Sequence, residues 1–420
     1  MFKRMLLCLM ALVTLIASAR AETPLRVMVN GGWLEMELLE SLPVELTETD
    51  DVVAEIANAF ATRNDEIDIF IFPADQGLDT VKRKGYYAPL NGGKRLMQWL
   101  GGFYPEIQRA LTTDDGELAA WVMGASVLGM TVYQTSVLED NGLTPPTTFG
   151  EMLDCCQAIL AADTLPAGMA LLSNNPYTRE SVLELYMDQY IRASRVGGGT
   201  VNFDTPEFVA MVERISAELP DHDSSFDRGT PSRAVFNYPV GFTMIDKDML
   251  AMPQLLPDQA GLVDVHLSVA VVNPYSKRVK SAVDLLNLHI AGYRIPSYIY
   301  DASLDMGLRA KNVDVRVEDL EKEIAALEAL EERTADQQEK LDEMLALYDT
   351  CFIISPDDVA AYHALSGGIS VFDGSPVCYD SFLRQAAGRY LHGELTAEGF
   401  ARECQNHIAM IYEENGIPMN

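Results

Sequence analysis

The sequence predicts an α/β protein with two lobes, each built on a mostly parallel sheet that helices cover. Three stretches support this class, because strand-like and helix-like patterns alternate over 67–91, 116–163 and 263–291. Such alternation is typical of parallel sheets with both faces buried. A chain of 420 residues is long enough for two units of this kind.

The N-terminus has the pattern of a secretory signal peptide over 1–21. Lys3 and Arg4 precede an apolar run over 5–16, and Ala-Arg-Ala at 19–21 fits a cleavage site. The run is short for a membrane-spanning helix. Cys8 lies near its start instead of its end, so we expect cleavage without lipid attachment. The mature protein is therefore expected in the periplasm or at the extracellular face of the membrane.

The formal net charge of −31 indicates which partners to expect. Such a surface repels nucleic acid and anionic lipid, while small neutral or cationic solutes remain compatible with it. A solvated surface that resists aggregation explains the acidity equally well. We therefore expect no nucleic-acid partner and a monomer.

The cysteines are too few and too scattered for a disulfide framework. Cys156 and Cys404 fall on apolar helix faces, where a cysteine behaves as a small hydrophobic residue. One pairing, Cys351 with Cys378, is left open.

Local signals place the elements of the first half of the chain. Strands are predicted over 25–30 and 67–72, with a helix between them, and Thr148 and Glu151 have the spacing of a capping box that begins another helix. The apolar run from 118 to 133 is interrupted at two glycines, which allow bends. The helices predicted in this half are 51–63, one ending near Lys84, 136–141, and one following Thr148.

The second half continues the alternation. Pro206 in the first turn favours a helix with Phe208, Val212 and Ile215 facing inward. Strands are predicted over 169–172, 242–245 and 263–272, and helices from about 179, from 206, and over 279–291, 356–364, 379–391 and 396–415.

Residues 316–348 have a different pattern and predict an antiparallel helical hairpin inserted into the fold. One apolar seam consists of Leu320, Ile324 and Leu327. The other consists of Leu341, Met344, Leu345 and Tyr348, and Thr334 with Gln337 caps its helix. Charged residues cover the other faces.

Motifs for the common enzyme chemistries are absent from the sequence. It contains no GxSxG, HExxH, Walker A or GxGxxG pattern, and its six histidines have no metal-ligand spacing. The group Asp221-His222-Asp223 fits a solvated loop better than a metal site. We therefore expect a binding function without a cofactor, metal or catalytic residue.

Candidate binding residues follow the predicted strands, because ligands of open α/β sheets lie beyond the carboxyl ends of the strands. An aromatic face together with amide and carboxylate groups suits a sugar. Surface packing at Trp33, helix capping at Asp75 and core packing at Trp121 remain alternatives. The candidates are Trp33, Asp75, Gln76, Asn175, Tyr177 and Asp246, with Trp121 on the strand that crosses between the lobes.

One segment resembles the extracellular solute-binding proteins, family 1, of bacterial ABC importers, which include maltose-binding protein. The family begins its second lobe with a Tyr-Asn…Gly-Leu…Pro…Thr-Trp…Glu segment. Gln134 departs from the family Asn, and Trp121-Val122 from its apolar-Pro. The matching residues are Tyr133, Leu138, Gly142, Leu143, Pro145, Pro146, Thr148, Phe149 and Glu151, and Ser276, Lys277, Ala282 and Leu286 match the family's return crossing.

The resemblance implies a periplasmic-binding-protein-like fold in which two discontinuous lobes close by a hinge. Lobe one would comprise 22–118 with 268–315, and lobe two 128–262 with 349–420, whereas periodicity alone favours sequential domains. It implies an exported protein that captures a small solute, a carbohydrate above all, and delivers it to ABC permease subunits. The alternatives are an exported bilobed sensor or adhesion module and, third, a hydrolase.

Overall fold

The computed structural model describes most of the chain, and the expected signal peptide and the strand predicted over 242–245 lie outside the described residues. No helix within the described part is long and apolar enough to span a membrane. The described residues are 24–30, 42–127, 130–166, 168–172, 178–195, 199–222, 233–240, 249–252, 255, 261–292, 297–304, 307–309, 316–330, 332–365, 368–371 and 377–414.

The chain divides into two compact units whose boundaries fall within strands β4 (Trp121–Val127) and β9 (Val263–Val272). The first unit comprises Met1–Gly101, Arg109–Gly124 and Ser268–Tyr293, and the second comprises Gly102–Gln108, Ala125–Leu267 and Arg294–Asn420.

Two segments that the prediction gave to lobe one, 102–108 and 294–315, fall in the second unit. The reason is local bonding: the Tyr104 amide donates to the Tyr300 carbonyl at 3.1 Å, and the Tyr362 hydroxyl donates to the Ile299 carbonyl at 3.0 Å.

The sheet of the first unit has the strand order β2-β1-β3-β9, with β4 also paired to β9. Strand β1 (Leu25–Asn30) runs parallel to β2 (Val44–Thr49) and β3 (Ile69–Pro73). Strand β9 runs antiparallel to β3, so that Ser268 pairs with Pro73 and Val272 with Ile69. The chain thus returns to the first unit at the carboxyl edge of the parallel strands.

Helices cover this sheet, and those over 52–62, 78–84 and 279–292 were predicted from the sequence. Helix α1 (Val52–Thr62) begins at Asp51, whose carboxylate accepts from the Ala54 amide at 2.9 Å, and it buries Val52, Ile56 and Ala59. The other helices of this unit are α2 (Leu78–Lys84), α3 (Lys94–Leu100) and α9 (Val279–Gly292), and α4 (Pro105–Leu111) crosses a unit boundary.

A buried carboxylate holds the amino end of β3 in place. The side chain of Asp68 is 1% exposed. It accepts hydrogen bonds from the Ser276 hydroxyl at 2.6 Å and the Arg26 amide at 2.7 Å, and its Oδ2 forms an ion pair with Arg278. Three separate segments of the first unit therefore meet at one charge.

The sheet of the second unit has the order β6-β7-β5-β8 and is mixed. Strands β6 (Met169–Leu172) and β7 (Arg233–Val240) are parallel, and β5 (Met130–Gln134) is antiparallel to β7 and to β8 (Met249–Met252). In both sheets the antiparallel strand is the one through which the chain enters the unit. This explains why the sheets are mixed where mostly parallel pairing was expected.

An aromatic core fills the helical layer of the second unit. Tyr186, Phe208 and Phe400 are at most 1% exposed and belong to one cluster. Its helices are α5 (Thr135–Asp140), α6 (Phe149–Ala162), α7 (Thr178–Arg195), α8 (Pro206–Glu218), α13 (Ser381–Leu391) and α14 (Ala397–Glu414). The predicted capping box is confirmed, since the Glu151 amide donates to Thr148 Oγ1 at 3.3 Å and the Thr148 amide to Glu151 Oε2 at 3.2 Å.

The last helix is bonded to a distant part of the chain. The Val201 amide donates to the Tyr412 hydroxyl at 2.8 Å, and the Phe203 amide donates to Gln405 Oε1 at 2.8 Å. Helix α14 therefore packs in the same hydrophobic core as residues between 133 and 219.

The five cysteines that the structure describes are free thiols. The open pairing of Cys351 with Cys378 is thereby excluded: Cys351 is buried in the hairpin and Cys378 is exposed. Cys156 and Cys404 are buried as predicted, and burial raises the pKa of both thiols.

The predicted hairpin is present as α10 (Val317–Glu328) and α11 (Ala335–Thr350). It has its own small core, made of Val317, Leu320, Ile324, Leu341 and Cys351. The placement of Leu345 in the seam is wrong, because this side chain is 38% exposed.

Short elements flank the hairpin. Strand β10 (Leu308–Arg309) is antiparallel to β11 (Phe352–Ile354), helix α12 (Pro356–Leu365) comes next, and β12 (Ile369–Val371) is parallel to β9.

Replacing residues 317–347 with a short Gly/Ser linker is expected to leave the two units folded and solute affinity nearly unchanged. The hairpin cluster is separate from the core of the second unit, so the deletion removes few of the contacts that hold the units. Circular dichroism, thermal unfolding and calorimetric affinity check this. Failure of the shortened chain to fold would show that the hairpin is an integral part of the second unit.

Candidate functional site

The carboxyl ends of the parallel strands in the first unit form one polar edge. Strands β1 and β3 are neighbours and end at Asn30 and Pro73, and Ser268 of β9 pairs with Pro73. Asp75 and Gln76 follow in the 3₁₀ turn Ala74–Gln76. We call Asn30, Asp75, Gln76 and Ser268 the polar edge. It is the place where ligands bind to open α/β sheets.

A side-chain hydrogen bond organises this edge. The Nδ2 group of Asn30, which is 7% exposed, donates to Oε1 of Gln76, which is exposed. The bond uses the carbonyl of Gln76 and leaves the two Nε2 donors to other partners. Asn30 therefore holds an exposed amide in a defined orientation, with its donors available for an acceptor such as a hydroxyl oxygen.

Glycines shape the backbone around the polar edge. Gly77 has φ 141, and a Cβ there would lie 3.1 Å from the methyl groups of Val53. A side chain would be strained at this position, so the turn bearing Asp75 and Gln76 requires glycine as its exit. At Gly124, a Cβ would meet the Cβ of Ser268 at 3.6 Å, which is an ordinary contact distance, so β4 passes close to Ser268.

The sequence prediction found part of this edge. Asp75, which is half-buried, and Gln76 lie on it as the residues that follow β3. It missed Asn30, the last residue of β1, and Ser268, which the structure shows to be buried polar residues. An Asn at the end of an apolar strand was the available signal for Asn30. Ser268 depends on the pairing of β9 with β3, which no local pattern reveals.

Trp121 is the first residue of β4 and is 2% exposed. This burial favours the core-packing alternative for Trp121, and its role in binding stays a prediction. The indole fills space inside the protein, so its replacement is expected to affect stability.

Trp33, Asn175, Tyr177 and Asp246 lie outside the described residues, and their binding roles stay predictions. The strands that precede three of them, β6 and β7, are adjacent and parallel and end at Leu172 and Val240. Their carboxyl ends lie at one edge of the second sheet, where binding residues are expected.

A second polar group lies between α7 and β9 in the second unit. The Arg192 Nε donates to Asp188 at 2.9 Å, and its Nη1 forms an ion pair with Asp264, whose side chain is 5% exposed. His266 Nε2 lies 4.0 Å from the same Asp264 oxygen. Burial and the charge of Arg192 lower the pKa of His266 to about 4, so the imidazole is neutral at neutral pH.

The described residues contain no group of three or more His, Cys, Asp or Glu side chains placed to hold a metal ion. The polar edge offers amide, hydroxyl and carboxylate groups. This set of groups fits hydrogen bonding to a polar solute.

Truncation of Gln76 to alanine is expected to lower solute affinity at least tenfold with little loss of stability. The side chain is exposed, so few packing contacts are lost, while the oriented amide is removed. Calorimetric affinity and melting temperature check this in parallel. Gln98→Ala is the control, because Gln98 is an exposed glutamine on α3 that is not part of the polar edge. An unchanged affinity in the Gln76 variant would remove this amide from the site.

Comparison with solved structures identifies the fold. The chain is similar to the cyclic alpha-maltosyl-1,6-maltose binding protein from Arthrobacter globiformis, at 14% identity and a TM-score of 0.55, over 93% of this chain and 100% of that one. It is also similar to an ABC substrate-binding protein from Listeria monocytogenes in complex with cycloalternan, at 14% identity and a TM-score of 0.50, over 94% of this chain and 100% of that one.

The predicted periplasmic-binding-protein-like fold is thereby confirmed, and at this level of identity the likeness concerns the fold alone. No protein-family model matches the chain, and no curated protein matches it.

Proposed function

We propose that this protein is an exported solute-binding protein that captures a carbohydrate and delivers it to an ABC importer. The observation that carries the proposal is the polar edge, where Asn30 orients the amide of Gln76 beside Asp75. Fold alone does not specify function, so the chemistry of this edge is the stronger argument. The two similar structures support it, since both are named as binding proteins.

A neutral sugar suits the groups that the edge provides. Amides donate and accept, a carboxylate accepts from two hydroxyls, and both are common where solutes rich in hydroxyl groups bind. A neutral ligand also avoids repulsion by a chain with a formal charge of −31. In this proposal the protein is a monomer, carries out no reaction, and passes the solute to membrane permease subunits.

A thermal-shift screen tests the proposal with maltose, maltotetraose, the cyclic maltosyl-maltose, amino acids and polyamines. A sugar present at a hundred times its dissociation constant adds about 2.7 kcal/mol of stability. We expect a rise in melting temperature with one or more sugars and recovery of the sugar unaltered by chromatography. Consumption of the sugar would indicate a hydrolase, and no shift with any compound would favour a sensor or adhesion module.

Closure of the two units on the solute is part of the proposal. With hinges in β4 and β9, a saturating sugar is expected to lower the radius of gyration in small-angle scattering, while the circular dichroism spectrum stays the same. Identical scattering curves with and without a bound sugar would contradict hinge closure.

A further inference from the structure

The ion pairs Asp188–Arg192 and Arg192–Asp264 connect helix α7 to strand β9. Helix α7 begins at Thr178, directly after residues 173–177, where two of the predicted binding residues lie. Strand β9 carries Asp264 three residues before the unit boundary between Leu267 and Ser268. Arg192 therefore joins the helix that follows one binding segment to the strand that leaves the second unit.

Burial makes this connection stiff and sensitive to change. The side chain of Asp264 is 5% exposed and that of Arg192 is 24% exposed. A carboxylate taken out of water is stable only while its partner stays in place. A displacement of β9 relative to α7 would separate the charges at a high cost. The pair therefore fixes the position of β9 more strictly than apolar packing, which tolerates sliding.

An adjacent residue shows that the polar network is incomplete in this conformation. Gln189 lies one helical turn before Arg192 and is fully buried. Neither its Nε2 nor its Oε1 has a hydrogen-bonding partner in the described part of the chain. An unpaired buried amide is unfavourable. A local rearrangement of α7 that gave this amide a partner would therefore gain stability.

We propose that Asp188, Arg192 and Asp264 are positioning residues that couple helix α7 to strand β9 and thereby set how readily the two units rearrange when solute binds. The proposal rests on the proposed function for its solute-linked part. None of the three residues belongs to the polar edge, so a substitution among them changes affinity only through the conformational equilibrium.

The test uses Asp264→Asn, which keeps the shape of the side chain and removes its charge. Arg192→Lys is the second variant, because it keeps the charge and loses the forked geometry, and so protects the test if Asp264→Asn does not fold. Glu218→Gln is the matched control, since Arg214–Glu218 is a half-buried i,i+4 pair of the same unit with both residues on helix α8.

The measurements are the radius of gyration without ligand, hydrogen exchange of β9 amides, and affinity for maltotetraose. We expect both variants to change the ligand-free radius of gyration, speed up exchange in β9 and shift affinity at least fivefold, and the control to change none of these. A lower melting temperature with an unchanged radius of gyration and affinity would show that the ion pairs contribute only to stability, and it would overturn the proposal.

Failure of the proposed function has a different signature. A wild-type protein that binds no sugar of the screen contradicts that function, and the coupling is then decided by the ligand-free radius of gyration and hydrogen exchange. Unchanged values of both in Asp264→Asn and Arg192→Lys overturn the coupling.

Discussion

Replacing Asp68 with alanine is expected to lower the free energy of unfolding by about 3–5 kcal/mol, which is typical of breaking a buried ion pair by removing one partner. The carboxylate is 1% exposed and accepts from Ser276, the Arg26 amide and Arg278. Its removal takes an acceptor from the Arg278 guanidinium, which is 24% exposed and also donates to the Pro24 carbonyl, and from the buried Ser276 hydroxyl.

Urea unfolding followed by circular dichroism measures this effect. Asp65→Ala is the matched control, because Asp65 lies three residues earlier and pairs at 2.5 Å with Lys277, which is 86% exposed. An exposed pair contributes little, so the control should unfold close to the wild-type midpoint. Equal midpoints for the Asp68 and Asp65 variants would contradict the role assigned to the buried carboxylate.

Asp68 also predicts a pH dependence. Burial acts to raise the pKa of Asp68, but hydrogen bonds from Ser276, the Arg26 amide and Arg278, together with the charge of Arg278, outweigh it and hold the pKa below its usual value. A carboxyl group with a depressed pKa stabilises the folded state above its unfolded pKa of about 3.9. That contribution is lost as the pH falls through the folded pKa. Asp68→Asn should therefore flatten the acid limb of the stability curve.

Replacing Trp121 with alanine is expected to cost about 3–5 kcal/mol of stability through the cavity that it opens. The residue is 2% exposed at the start of β4, in the part of that strand that belongs to the first unit. An indole is among the largest side chains, so the surrounding structure is not expected to collapse into the space.

The measurement pairs the melting temperature without ligand with calorimetric affinity for a sugar from the screen. A large fall in melting temperature with affinity preserved would place Trp121 in the core and leave Trp33 as the better candidate platform. A small fall with affinity lost more than tenfold would contradict core packing and favour direct contact with solute. Trp121→Phe is the control, because it keeps an aromatic ring and most of the volume.

Elements with strong local signals were predictable from the sequence. The capping pairs Thr148–Glu151 and Thr334–Gln337 both form, because each depends on residues three apart on one helix. Strand β2 was missed. Its residues VELTET are mostly polar, and it pairs only with β1 among the described strands, so it needs no apolar run. Strand β7 was missed as well, and its identity depends on pairing with β5 and β6.

The candidate site also contains residues that the local sequence predicts and residues that only tertiary contacts reveal. Asp75 and Gln76 follow a strongly apolar strand, so their position was predictable from the exit of that strand. Asn30 was counted as part of its strand, and only the hydrogen bond to Gln76 shows its contribution. The ion pair between Arg192 and Asp264 joins residues on different elements. Such contacts come from tertiary packing and leave no periodic signal in one sequence.

The bonds between α14 and residues 201–203 have a consequence for the order of events during folding. Tyr412 supplies the acceptor for the Val201 amide, and Phe400 and Ile408 belong to the same core as Phe203. That core cannot be completed until the last helix has been synthesised, and contacts over such sequence separations form slowly. A nascent chain would therefore remain unfolded for longer than one with a local core. An unfolded chain is the form that can pass through a membrane channel, so late completion of this core fits the export that we propose.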